Sequence, residues 1–104
     1  SLTDSQEQTA AFVQKHDLDT SVAARMLDSV SEVGEVAKEI HKGSDYGTTD
    51  FSPTAEWERE LGDVLFSLIC IANRTGVDLN AALKTVLQKY EKRLTEKGDA
   101  GSGS

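Results

Sequence analysis

The sequence lacks most of what would cross-link, anchor or extend it. It has one cysteine in 104 residues, so no disulfide can form within the chain, and Cys70 sits in the apolar run Leu68-Ile69-Cys70-Ile71. That usage fits a reducing cytoplasm. No stretch approaches the roughly 18 to 20 apolar residues of a membrane span, and no basic segment followed by an apolar one opens the chain, so we expect a soluble, untargeted protein with no membrane partner. Strand-like alternation of useful length is missing as well. Basic residues are in deficit: 11 Lys and Arg stand against 18 Asp and Glu, a net charge of -7. Such a surface does not neutralise nucleic-acid phosphates, and DNA and RNA are excluded as expected partners. A small polyanion would be repelled too, unless divalent cations held by the carboxylates reverse the local sign.

What is present is helical. The length suits one domain, read as residues 1-98 with a small polar tail at 99-104. Its first helix is expected from about Thr3 to His16, with Thr3 and Gln6 as a capping box and His16 near the C-terminus as a cap. A second runs from Thr20 or Ser21 to Lys42, with Gly43 taking a left-handed conformation to end it. Its stripe Met26, Leu27, Val30, Val33, Ala37, Ile40 follows the helical period and should face a core. Residues 43-52 have loop composition around Tyr46 and Phe51, a connection expected to be mobile. The third helix should start at Ser52-Pro53 or Thr54 and end at Gly76, and the fourth should run from Asp78 or Asn80 to Gly98. The architecture is an all-α helical bundle, and a domain this small is expected to complete its burial in an oligomer.

Within that frame the acidic residues are arranged. Glu32 and Glu35 are neighbours at i and i+3, and Asp28 and Glu39 extend the same ridge opposite the apolar stripe. Alone, such a ridge is more often a solvated face. Asp63 changes the reading, because the helix Leu61 to Ala72 around it is apolar nearly all round, and a buried carboxylate there needs a cation or hydrogen bonds. Glu60 lies one turn before it, and no basic residue lies between Glu60 and Arg74. Glu32 and Glu35 brought opposite Glu60 and Asp63 would make an all-oxygen cluster, suited to Mg²⁺ or Mn²⁺ and not to a soft metal. A ferritin-like di-iron site is disfavoured, because neither His16 nor His41 follows a glutamate at the required spacing.

Glu32-x-x-Glu35 followed by Glu60-Leu61-Gly62-Asp63 resembles the signature of the MazG-like all-α nucleotide pyrophosphohydrolases. The likeness continues through Ala72-Asn73, Gly76-Val77-Asp78-Leu79 and the segment Lys89 to Arg93. The resemblance implies a four-helix unit completed by dimerisation, as a homodimer or a dimer of dimers. It implies that Glu32, Glu35, Glu60 and Asp63 hold Mg²⁺, and that a nucleoside or deoxynucleoside triphosphate is cut to its monophosphate and pyrophosphate in nucleotide-pool housecleaning. Lys89 and Arg93 become candidate phosphate contacts, although at i, i+4 near a helix C-terminus they also read as a solvated basic turn. Trp57 is placed either to seal the bundle end or to stack on a nucleobase, and Asn73 either to cap its helix or to touch base or sugar.

Two positions depart from the pattern. Many relatives have a second glutamate immediately before the first Glu-x-x-Glu, and in some it is thought to act as general base; here Ser31 stands there. Glu35 or Asp28 would have to serve, or metal coordination alone would have to lower the pKa of the attacking water. Glu56 stands where relatives often carry a lysine. The rival reading is a catalytically silent helical module that binds metal and nucleotide without turnover.

Overall fold

A computed structural model of the chain describes residues 1–98, and the expected tail at 99-104 lies outside them. Four helices follow in order, α1 (Leu2–Lys15), α2 (Val22–Gly43), α3 (Trp57–Thr75) and α4 (Leu79–Lys97), with no strand among the described residues. No described helix is long and apolar enough to cross a membrane.

Side-chain oxygens fix three of the four starts. Ser1 accepts from the Asp4 amide, Ser21 from that of Ala24, and Asp78 from that of Asn80, each satisfying an amide that the first helical turn leaves without a partner. The expected capping box at Thr3 does not form. Gln6 is buried instead, and its amide group crosses from α1 to the α3–α4 turn. Two helix ends agree with the sequence: Gly76 and Gly98 close α3 and α4 at φ 71° and 79°, the left-handed region where a Cβ is costly.

Gly43 is different from expectation. It remains inside α2, and a Cβ there would collide with the Ser52 carbonyl and the Phe51 ring; its job is close approach of the chain, not helix reversal. The reversal falls to Asp45, Tyr46 and Gly47, at φ 47°, 56° and 86°. The connection expected to be loose is stitched by bonds from the Tyr46 amide to the His41 carbonyl (2.7 Å), Thr49 to Ser44 (3.0 Å) and Ser52 to Gly43 (2.8 Å). The third helix starts at Trp57, later than the Ser52-Pro53 or Thr54 start, after a turn in which the Trp57 amide bonds the Thr54 carbonyl.

In packing, α2 lies along α3, while α1 contacts α3 and α4. Arg25, Ser29, Glu32, Val36 and Glu39 are the buried or half-buried residues of this side of α2, and at about 100° per residue they form one face. The apolar stripe does not face a core within the chain. Leu27 is 73% exposed and Val30 62%. Among the described residues the buried apolar ones are Ile69, Cys70 and Ala72, and α4 has no buried residue. Between α3 and α4 an apolar groove stays open, lined by Leu65, Leu68, Leu79, Leu83 and Val86. A face this apolar is costly to leave in water.

Candidate metal centre

The acidic residues meet where α2 and α3 run side by side. One carboxylate oxygen each from Glu32, Glu60 and Asp63 lies within 4.8 Å of the others. The sequence spacing explains this: Glu60 and Asp63 are one turn apart on α3 and project toward the side on which α2 presents Glu32. Glu32 and Glu60 are half-buried, whereas Asp63 is exposed. The expectation that Asp63 is buried in an apolar helix is therefore corrected; the apolar residues around it turn to other sides, and those of the open groove are themselves unpartnered.

The cluster is electrostatically incomplete. Loss of hydration, then the charges of Asp63, Glu35 and Glu32, push the Glu60 carboxyl above the usual carboxylate range, against a smaller opposing effect of Arg59. Arg59 itself pairs with Glu56, the residue that stands where a lysine was expected from the resemblance. Glu35 is exposed, one turn from Glu32, and close enough to act on Glu60 without joining the tight trio. The donor set is wholly carboxylate, which fits a hard divalent cation such as Mg²⁺ or Mn²⁺.

The other residues singled out in the sequence lie around or away from this trio. Asp28 is exposed and sits 3.9 Å from the Arg25 guanidinium, which donates to the Leu18 carbonyl at 2.6 Å and lies over the Phe66 ring. Trp57 is half-buried one turn before Glu60, its ring meeting that of Phe51 at 4.9 Å and 60°, which closes the connection onto the start of α3. Asn73 lies ten residues beyond Asp63 along α3, about 15 Å at the helical rise. It is committed to α1, donating to the Gln6 carbonyl and accepting from the Gln6 side chain, both at 3.0 Å. Lys89 is exposed with its ammonium 5.2 Å from the Tyr90 ring, and Arg93 is half-buried. Both lie on α4, which contacts α1, whereas the trio lies between α2 and α3.

Two residues of this region were not singled out for what they do. Glu39, read as one more acid of the ridge, is only 4% exposed. It accepts a hydrogen bond from the Thr54 hydroxyl at 2.5 Å and faces the Lys42 ammonium at 3.6 Å. A signal existed in its phase, since Glu39 lies seven residues from Glu32 and on nearly the same side of α2; nothing in the sequence revealed Thr54 as its partner.

The chain is similar to known proteins in both sequence and fold. Residues 21–96 match the model of the MazG nucleotide pyrophosphohydrolase domain. The uncharacterized protein YpjD of Bacillus subtilis (strain 168) is 36% identical over 76 residues, 70% of this chain and 67% of the relative. The crystal structure of the Bacillus-conserved MazG protein, a nucleotide pyrophosphohydrolase, superposes with a TM-score of 0.73 at 33% identity, covering 86% of this chain and 88% of that one. The paired acidic motifs on two adjoining helices, the all-α architecture and these matches together make the chain a member of the MazG nucleotide pyrophosphohydrolase family, hydrolases of nucleotide pyrophosphate bonds.

Proposed function

We propose that the chain hydrolyses nucleoside or deoxynucleoside triphosphates between the α and β phosphates, releasing monophosphate and pyrophosphate, in nucleotide-pool housecleaning. The observation that carries this reading is the convergence of Glu32, Glu60 and Asp63. Together with Glu35 they would hold Mg²⁺, or Mn²⁺ in its place. A triphosphate could not approach four carboxylates unaided, so the same residues that repel the substrate recruit the cation that admits it. When bound, Mg²⁺ supplies charge neutralisation along the phosphate chain and lowers the pKa of water.

The remaining work falls to side chains. Glu35, exposed and outside the tight trio, is the first candidate to take a proton from the attacking water. Asp28 is the second, with its carboxylate already facing Arg25 at 3.9 Å. Trp57 and Asn73 are the aromatic and polar groups carried from the sequence as base or sugar contacts; the Gln6 bonds of Asn73 favour Trp57 of the two. Lys89 and Arg93 would meet the phosphates in the assembled protein. The unpartnered apolar faces of α2, α3 and α4 support a homodimer, alone or paired into a tetramer, as the form in which α4 is covered.

The test is product analysis. Protein incubated with ribo- and deoxynucleoside tri- and diphosphates, in Mg²⁺, Mn²⁺ or EDTA, is expected to yield monophosphate and pyrophosphate from triphosphates, with the yield abolished by EDTA and by Glu35→Gln. Ser31 favours a second reading, the silent binding module. Mg²⁺-dependent nucleotide binding without product at any enzyme concentration would establish that reading and end the first.

A further inference from the structure

Glu32 of α2 and Glu60 and Asp63 of α3 bring like charges within 4.8 Å of one another, so something must keep the two helices at the spacing that a shared cation needs. At the loop-side end of this pair a side-chain link ties α2 to the turn that leads into α3: the Thr54 hydroxyl donates to Glu39 at 2.5 Å, and Glu39 is 4% exposed. Glu39 stands seven residues beyond Glu32 on α2, about 10 Å along the helix, and Thr54 six residues before Glu60, in the turn that leads into α3. The chain around the link is fixed independently, by the Ser52 amide bond to the Gly43 carbonyl and by the contact of Phe51 with both Gly43 and Trp57.

We infer that Glu39 and Thr54 form a latch that sets the spacing of α2 and α3, so that Glu39 is a positioning residue for the metal site and not one of its ligands. The inference rests on the metal-site reading above. Two features separate Glu39 from the ligands: its charge is already answered by Lys42 at 3.6 Å, and one of its oxygens is occupied by Thr54. Groups that orient metal ligands without touching the metal commonly control affinity by about 10- to 100-fold.

The latch and the ligand roles make opposite predictions, because a glutamine at 39 keeps an oxygen for the Thr54 hydroxyl but is a poor cation ligand. Mn²⁺ binding to the intact chain would be followed by electron paramagnetic resonance well below the melting temperature, alongside the Mg²⁺ concentration giving half-maximal hydrolysis. Thr54→Val should weaken Mn²⁺ binding about tenfold and move the Mg²⁺ activation curve by the same factor, with activity recovered at high Mg²⁺. Thr54→Ser, which keeps the hydroxyl, and Glu39→Gln should stay within about threefold of the parent. Parent-like Mn²⁺ binding in Thr54→Val, even with a lowered melting temperature, overturns the latch. Loss of binding in Glu39→Gln but not in Thr54→Val makes Glu39 a ligand and also overturns it. A parent protein that binds no Mn²⁺ fails at the earlier step, the metal-site reading, and takes the latch with it.

Discussion

The two halves of α3 are built on opposite terms. Its first turns carry Glu60 and Asp63 into a group of like charges that Arg59 offsets only in part at Glu60. Its last turns carry Ser67, Ile69, Cys70 and Ala72 into the chain's small core, and Asn73 into a closed set of bonds with Gln6. In that set the Gln6 amide nitrogen also donates to the Val77 carbonyl at 2.8 Å, and its oxygen accepts from the Leu79 amide at 2.8 Å. One half leaves an electrostatic demand for a ligand to meet; the other has its Asn73 amide bonded within the chain and leaves only an apolar side uncovered. A native helix tolerates the first because the second holds it in place.

The largest effect should come from breaking the unbalanced half. Asp63→Asn removes one charge of the trio, and we expect hydrolysis to fall by more than about 100-fold, beyond the loss typical of groups that only orient metal ligands. In metal-free buffer the same change should raise the melting temperature, because a repulsion is relieved. Added Mg²⁺ should stabilise the parent by selective binding to the native state, and that rise should disappear in the variant. Differential scanning calorimetry with and without Mg²⁺, beside the product assay, reads all three. A variant that keeps its Mg²⁺ response would remove Asp63 from the metal site.

Breaking the satisfied half should have the reverse signature. Gln6→Ala strips partners from Asn73 and from the turn into α4, and orphaned buried polar groups cost about 1 to 3 kcal/mol each. We expect a loss of about 2 to 3 kcal/mol in urea unfolding, with Mn²⁺ affinity unchanged while the protein is folded. If metal affinity falls with stability, the two halves are not separable and the contrast fails.

This contrast also explains what could be read in advance. The helices, the glycine ends of α3 and α4, and the placing of Glu60 and Asp63 on one face of α3 were legible, because capping chemistry and i, i+3 spacing are local; which helix would face them was not encoded by that spacing. Nor was the phase of α2 legible. Periodicity identifies the apolar side but not which surface will cover it, and the side that meets α3 is the one with Arg25, Ser29, Glu32 and Glu39, chosen for the site and its supports. Gln6 misled for a similar reason: its spacing from Thr3 suits a capping box, yet the bonds it makes are with residues far along the chain. Glu39 and Thr54 come together only because of the turn geometry after Gly43, which sequence spacing does not encode.

The uncovered apolar side offers a test at intermediate scale. Leu27, at 73% exposed, lies far from the trio on α2. If the stripe is a contact between copies, Leu27→Glu buries a charge in that contact and should shift the mass measured by light scattering toward the single chain, at an unchanged helical content. The same mass for parent and variant would leave the stripe uncovered by a second copy at this position, and the need of Lys89 and Arg93 for an assembled protein would lose its support.

The smallest effect is a pH dependence, and its sign follows from the direction of the Glu60 shift. The folded protein binds the Glu60 proton more tightly than the unfolded chain, whose carboxyl keeps the ordinary value of 4.5. Between that value and the raised folded one, the native state carries more protons than the unfolded state, so stability falls as pH rises. The contribution is fully present below 4.5 and is lost once pH has passed through the folded value. In EDTA the melting temperature should therefore carry a downward component across this window, and it should be absent in Glu60→Gln, which has no proton to release. Saturating Mg²⁺ should flatten it at the upper end, because a bound cation replaces the proton as the partner of the carboxylates. Parent and Glu60→Gln curves that run parallel in EDTA would mean that the first half of α3 carries no such strain, and that its difference from the second half is one of exposure alone.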